Sequence, residues 1–309
     1  MAISIIDSSY LSYKSYFAFA KNHLSVVRDG EEIITSAIFG FIRELISLTD
    51  YGYKTIICVW DTPPYYKKDK IQTYKEKRKK DIPSLANERE MIKGILYNLN
   101  IPSLYAKTYE GEDVASYIIN RIDNNREIHF YTNDRDCYAL LDNNVQLINT
   151  VFNSKLKRSE LTYFSIEDLK KEFGVTPKQF SAMKIIMGCA SDNIQGVKGI
   201  GPKKASDLIS HYKTVRNVYF NLDQLRPTLA QKLINAKNDG SISESKFLTT
   251  IVPPPKVELF VPKIKLSFEQ ILGYIEAYSL LKGTNKLQLV KLRERNKFQI
   301  EELQRIIKW

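Results

Sequence analysis

The sequence has little of what would anchor or staple a chain. Its longest apolar runs reach about six residues, against the roughly 20 that cross a bilayer, so no transmembrane helix is expected. The first apolar run meets Asp7 early, which argues against a secretory signal. Only three cysteines occur, Cys58, Cys137 and Cys189. They have no metal-ligand spacing, so neither a disulfide framework nor structural zinc is expected. A reduced, cytoplasmic setting is expected. His23, His129 and His211 form no constellation, and no internal repeat or low-complexity tract is present. With 43% hydrophobic and 26% charged residues in 309, the chain has enough apolar material for a substantial core and is not broadly disordered.

What is present in excess is positive charge: 46 Lys and Arg against 35 Asp and Glu, a net +11. It is concentrated. Residues 65–80 hold Lys67, Lys68, Lys70, Lys75, Lys77, Arg78, Lys79 and Lys80 against Asp69 and Glu76, more than half of the imbalance. Such a patch suits a polyanion, most simply nucleic acid, although a solvated basic loop has the same composition.

The first half alternates strand-like runs (3–6, 55–60, 127–131 and 145–148) with helical periodicity over 36–48, 91–99 and 114–122. That alternation predicts an α/β domain on a mostly parallel, twisted sheet flanked by helices. After about residue 161 helical segments follow one another, broken by Val252-Pro253-Pro254-Pro255, which reads as a linker. Further helices are expected over 267–281 and 291–307. The expected division is residues 1–163, α/β, and 164–309, helical.

Three predicted strands end at aspartates: Asp7, Asp61 and Asp134, with Asp136 close behind. In a parallel sheet the carboxyl ends share the edge where ligands bind. Glu110, Glu112 and Asp113 open the next helix. Any one of these could simply cap a turn or complement a helix dipole. Gathered together they repel unless a cation neutralises them, and hard oxygen ligands suit Mg²⁺ or Mn²⁺. An acidic metal cleft beside a basic segment is the arrangement that phosphodiester hydrolysis needs.

The segment Gly196-Val197-Lys198-Gly199-Ile200-Gly201-Pro202-Lys203-Lys204 has GxxGxG spacing, unlike the dinucleotide fingerprint. Pro202 suits the first position of a helix, and the glycines suit a tight, exposed hairpin before it. Exposed amides, a helix N-terminus and Lys198, Lys203 and Lys204 predict a helix–hairpin–helix, over about 180–212, that grips a phosphate backbone. An ordinary helix connection is the plainer alternative.

In this order, the motifs resemble the flap endonuclease / 5′-nuclease family over about residues 1–260. Ile-Ile-Asp7 is similar to its opening strand and metal aspartate, and Trp60-Asp61 to its second. Lys14 falls where arginine is usual, and Tyr13 resembles an aromatic that supports the DNA end. Tyr74-Lys75-Glu-Lys-Arg78 matches the Tyr-Lys-x-x-Arg pattern of a helical arch, here about 62–95. Glu110-Gly-Glu112-Asp113 resembles Glu-Ala-Asp-Asp, Asp134-Arg-Asp136 resembles Asp-Lys-Asp, and Ser191-Asp192-Asn193 precedes the helix–three-turn–helix. Two departures stand out. Cys189 replaces an acid usual in bacterial members, which implies a second metal held differently or more weakly. Glu112 is one methylene longer than the common aspartate.

The resemblance implies a PIN-like 5′-nuclease core that hydrolyses DNA with a 5′ flap or free 5′ end, using two Mg²⁺ (or Mn²⁺) ions about 4 Å apart. Asp7, Asp61, Glu110 and Glu112 would chiefly hold the first; Asp134, Asp136 and Asp192, helped by Asp113, the second. Lys14, Lys75 and Arg78 would act on phosphate charge. Tyr13, Tyr74, Gly196, Lys198, Gly199, Gly201, Lys203 and Lys204 would contact DNA, and K⁺ at the hairpin is a further implication. The alternatives are ribonuclease H-type removal of RNA primers from RNA–DNA hybrids and a catalytically weak junction-binding protein. Gln304 to Trp309 offers a faint likeness to a sliding-clamp peptide, against an amphipathic terminal helix. Clamp or single-strand-binding partners, a monomeric state and no membrane association complete the expectations.

Overall fold

The structure is a computed structural model that describes residues 2–28, 30–76, 82–155, 158–262, 267–270, 272, 283–296 and 303. Its strands are β1 (Ile3–Asp7), β2 (Ser25–Arg28), β3 (Glu31–Ile34), β4 (Thr55–Trp60), β5 (Ser103–Tyr105), β6 (Ile128–Tyr131), β7 (Val145–Asn153), β8 (Arg158–Phe164) and β9 (Glu258–Leu259). The chain forms two compact units. One comprises Met1–Pro63, Lys80–Thr132 and Pro253–Trp309, and the other Pro64–Lys79 and Asn133–Val252.

In the first unit β1 pairs in parallel with β4, placing Ile3 opposite Thr55 and Asp7 opposite Val59. It also pairs in parallel with β6, with Ile6 opposite Tyr131. β5 adds in parallel to β4, and β9 closes antiparallel on β5. This is the expected mostly parallel sheet. All five residues of β1 are buried, as an apolar strand covered by helices on both faces should be. The covering helices are Ser8–Ala18, Ser36–Asp50, Pro83–Asn98 and Gly111–Ile119. Helix Ser36–Asp50 buries Ile38, Phe41, Ile42 and Leu45, a stripe at helical spacing. Burying each such side chain contributes about 1.5–3 kcal/mol. β2 and β3 form a separate antiparallel pair.

One carboxylate is spent inside this unit. Glu88 is 1% exposed, and its Oε2 accepts from the amides of Ala37 (2.6 Å) and Ile38 (3.1 Å). Those are orphan donors at the start of helix Ser36–Asp50, so Glu88 caps that helix from a distant element. Burial pushes its carboxyl up to about 7 despite these two bonds.

In the second unit β7 and β8 form an antiparallel hairpin, from Leu147 opposite Phe164 to Asn153 opposite Arg158. Short helices follow, bounded by their own sequence. Ser165 accepts from the Asp168 amide to start Ile166–Phe173, and Gly174 ends it in the left-handed conformation. Thr176 and Gln179 cap Pro177–Met187 reciprocally. Tyr138 stacks on Phe164 at 4.4 Å between centroids and meets Phe180 edge-on at 5.2 Å. Helices Pro202–Tyr212, Pro227–Asn238 and Ser241–Thr249 complete this unit's larger elements.

Candidate metal centre and nucleic-acid interface

Asp7 closes β1 and is 9% exposed. Its Oδ1 accepts from the Tyr10 amide (2.9 Å), capping helix Ser8–Ala18, and its Oδ2 accepts from Thr132 Oγ1 (3.1 Å) just past β6. Asp61 follows β4. Its amide donates to Ser9 Oγ (3.0 Å), and its Oδ1 accepts from the Gly111 amide (2.7 Å). A methyl group at Gly111 would stand 3.1 Å from Asp61 Oδ1 and 3.8 Å from Asp7 Oδ1. The two strand-end carboxylates therefore converge on one backbone position, at the start of helix Gly111–Ile119. Glu110 and Asp113 flank it, both buried, and Asp113 Oδ2 accepts from the Glu110 amide at 3.4 Å. Glu112 is partly exposed.

On the same unit Lys14 Nζ donates to Tyr131 Oη at 2.8 Å. Burial lowers its pKa from the ordinary lysine value. Tyr13 is 51% exposed and packs on Phe17, 41% exposed, with centroids 4.4 Å apart. Arg89 Nε donates to Ser12 Oγ (2.9 Å) and so braces the helix that carries Tyr13, Lys14 and Phe17.

The second unit holds the other acids. Asp134 caps the short 3₁₀ turn Arg135–Leu140 by accepting from the Asp136 amide at 2.9 Å. Burial, then the charge of Asp136, pushes the Asp134 carboxyl above the usual carboxylate range; Asp192 adds to this and Lys75 opposes it. Asp192 is 4% exposed. Its carbonyl accepts from the Lys75 amide at 3.0 Å, and Asn193 Nδ2 donates to the Thr73 carbonyl at 3.0 Å. Lys75 holds a left-handed backbone, φ +54°. Its Nζ lies 5.1 Å from the Tyr65 ring centroid and 5.0 Å from that of Tyr74.

Tyr74 is 2% exposed and packs with Ile194 and Leu248. That placement makes its ring a support for the basic segment; as placed it offers no face to DNA. The segment itself has a helix only over Tyr66–Lys70 before Lys75, and Arg78 lies outside the described residues.

One residue was missed. Lys184, 5% exposed on helix Pro177–Met187, forms an ion pair with Asp136. Burial alone would lower its pKa, but Asp136 reverses this and holds it above the ordinary lysine value. A single lysine inside the apolar run Ala-Met-Lys184-Ile-Ile-Met was the available signal. Cys189 Sγ, where an acid was expected, sits 3.1 Å from Ser191 Oγ.

The hairpin has the expected helix start at Pro202, and its glycines divide into two kinds. Gly196 is internal: φ is +60°, its amide donates to Ser245 Oγ at 3.1 Å, and a Cβ would meet the Gly188 nitrogen at 2.4 Å. Its amide is unavailable to an anion. Gly199, Gly201, Lys198, Lys203 and Lys204 are exposed and can face one. Lys232 Nζ donates to the Gly199 carbonyl at 3.4 Å.

Among the described residues no three His, Cys, Asp or Glu side chains, as placed, gather into a ready-made ion cage. Several carboxylate oxygens are committed instead to amides, a hydroxyl or Lys184. The donor set still fits a hard divalent cation, being all carboxylate, crowded in sequence and partly desolvated.

Residues 2–174 match the family described as 5′-3′ exonuclease, N-terminal resolvase-like domain, and residues 175–270 match 5′-3′ exonuclease, C-terminal SAM fold. The chain is 31% identical over 255 residues to DNA polymerase I of Caldicellulosiruptor bescii, covering 82% of this chain and only 29% of that protein. It is 29% identical over 292 residues to a 5′-3′ exonuclease of Aquifex aeolicus, covering 92% of this chain and 95% of that one. In fold it is similar to the T5 5′-exonuclease solved with divalent zinc ions bound (TM-score 0.62, 18% identity, 98% and 100% of the two chains). It is also similar to the catalytic core of Rad2 in complex with DNA substrate (TM-score 0.59, 17% identity, 94% and 91%). Two family matches in sequence, laid over the strand-end carboxylates and the glycine hairpin, leave one reading: the chain belongs to the 5′-3′ exonuclease family.

Proposed function

We propose that the chain is a structure-specific 5′ nuclease that hydrolyses phosphodiester bonds of DNA bearing a 5′ flap or free 5′ end, in replication or repair. The observation that carries this is the approach of Asp7 and Asp61 to Gly111 at the carboxyl edge of a parallel sheet. Strand-end carboxylates with hard oxygens suit Mg²⁺ or Mn²⁺ better than the nitrogen and sulfur ligands of a zinc site. Asp7, Asp61, Glu110 and Glu112 would hold one ion; Asp134, Asp136 and Asp192 would hold another, with Asp113 serving chiefly to fix the Glu110 backbone. Bound there, such ions supply an activated water and stabilise charge on the leaving oxygen.

The chain's own groups do the rest. Lys14 and Lys75, with Arg78, neutralise phosphate charge. Tyr13, backed by Phe17, offers an exposed ring for a terminal base to stack on. Lys198, Lys203, Lys204 and the backbone at Gly199 and Gly201 hold duplex phosphates without reading bases. A K⁺ held by the hairpin carbonyls would share the Gly199 carbonyl with the Lys232 ammonium, 3.4 Å away. No step is given to it. Among the described residues no helix is long and apolar enough to cross a membrane. A cytoplasmic, monomeric enzyme is the proposal consistent with the site. The clamp-like Gln304–Trp309 stretch lies outside the described residues.

Incubation with Mg²⁺ and end-labelled 5′-flap DNA, nicked duplex and an RNA–DNA hybrid tests this reading. The proposal predicts short 5′ products, most from the flap. Preference for the hybrid would favour primer removal, and tight binding with no product would favour a junction-binding protein.

A further inference from the structure

The Asp134, Asp136 and Asp192 group has a cation of its own. Lys184 is 5% exposed, and its ammonium is paired with Asp136 from within the same unit. A lysine is seldom this buried unless its charge is answered. Here it faces two carboxylates, since the charge of Asp134 also acts on it. At position 189, where an acid would have added negative charge, the side chain is a thiol hydrogen-bonded toward Ser191. Both features change the local charge in one direction: one carboxylate fewer and one ammonium more.

We propose that Lys184 is the resident counter-ion of this carboxylate group, and that a divalent ion binds there in competition with it. The ammonium already neutralises part of the Asp136 charge and repels a second cation beside it, so the two compete electrostatically for the same carboxylate. Lys184 then sets how much free ion the group needs, while keeping the like-charged acids folded when no ion is bound. This rests on the nuclease reading for the identity of the ion. The role of Lys184 is a positioning one, since it acts through Asp136.

The test uses the full chain without DNA, in an Asp61→Asn background that weakens the other carboxylate set. Mn²⁺ binding is followed by electron paramagnetic resonance, and folding by near-UV circular dichroism. Lys184→Gln keeps a hydrogen-bond donor beside Asp136 and removes the charge; it should bind Mn²⁺ about tenfold more tightly. Lys184→Met should do the same, Lys184→Arg should retain the parent affinity, and Cys189→Asp should also tighten binding. A folded Lys184→Gln with unchanged or weaker Mn²⁺ affinity overturns the proposal. Should both neutral variants lose their fold without metal, millimolar Mn²⁺ must restore it; failure to do so also overturns the proposal. Flap cleavage by the otherwise unaltered chain, measured in parallel, separates the two ideas. Absence of cleavage sinks the nuclease reading alone, whereas cleavage with Lys184-independent Mn²⁺ binding sinks the counter-ion alone.

Discussion

The amide of Lys75 donates to the carbonyl of Asp192 at 3.0 Å, which joins the basic segment to the backbone of a candidate metal ligand. Lys75 pays for the bond with a left-handed backbone, φ +54°, a strain of order 1 kcal/mol or more for a residue with a side chain. Its Nζ, set against the Tyr65 and Tyr74 rings, is thereby fixed relative to Asp192. A fixed cation near developing phosphate charge acts on rate more than on ground-state binding. Lys75→Ala should lower single-turnover cleavage of a flap about 100-fold, with duplex affinity changed less than about threefold. Equal losses in both measurements would contradict the assignment.

Glu88 gives the fold a pH dependence remote from the chemistry. Its folded carboxyl sits at about 7, raised from 4.5 chiefly by burial. The folded state therefore takes up a proton that the unfolded chain would release. Its contribution is fully present below about pH 4.5 and is lost as pH rises through 7. The loss amounts to as much as about 3 kcal/mol. Glu88→Gln keeps an acceptor for Ala37 and Ile38 and removes the titration. Its melting temperature relative to the parent should rise between about pH 5 and 7 and level off above that. A difference that stays constant over that range would rule out this origin.

Two glycines of the hairpin should behave oppositely. Gly196 has φ +60° and no room, since a Cβ would strike the Gly188 nitrogen and the Ile186 carbonyl. Gly196→Ala should cost about 3 kcal/mol or more in denaturant unfolding. At Gly201 a Cβ meets nothing within 4 Å. Gly201→Ala should leave stability within about 1 kcal/mol yet weaken duplex binding several-fold, because the methyl group holds off the phosphate. Stability loss at Gly201 or unaltered DNA affinity there would count against a backbone contact.

The sheet was legible because its signals are local. Apolar runs that stop at Asp7, at Asp61 and just before Thr132-Asn133-Asp134 became β1, β4 and β6, paired in parallel. β5 has only three residues, too short for periodicity to register. β2 and β3 pair apart from the main sheet, and β3 buries no residue fully, so neither face carries a strong alternation. The Pro202 helix start followed from residue type alone. What stayed hidden depends on side chains meeting across the fold. Lys184 looks like any lysine of a helix until Asp136 is seen beside it, and Gly196 looks like Gly199 until Ser245 takes its amide. Tyr74 matched an arch motif, yet its burial beside Ile194 and Leu248 is a tertiary fact.

The central claim is that these carboxylates carry out a metal-dependent cut, and Asp134 tests it most directly. Burial and Asp136 together push its carboxyl up, so an ion there would relieve the crowding as well as serve the chemistry. The measurement is cleavage of an end-labelled 5′-flap DNA with and without Mg²⁺, by the parent chain and Asp134→Ala, alongside flap binding by both. The account predicts Mg²⁺-dependent product from the parent and at least about a 100-fold loss in the variant, with binding retained. Binding by the parent with no metal-dependent product even at high enzyme concentration would contradict it.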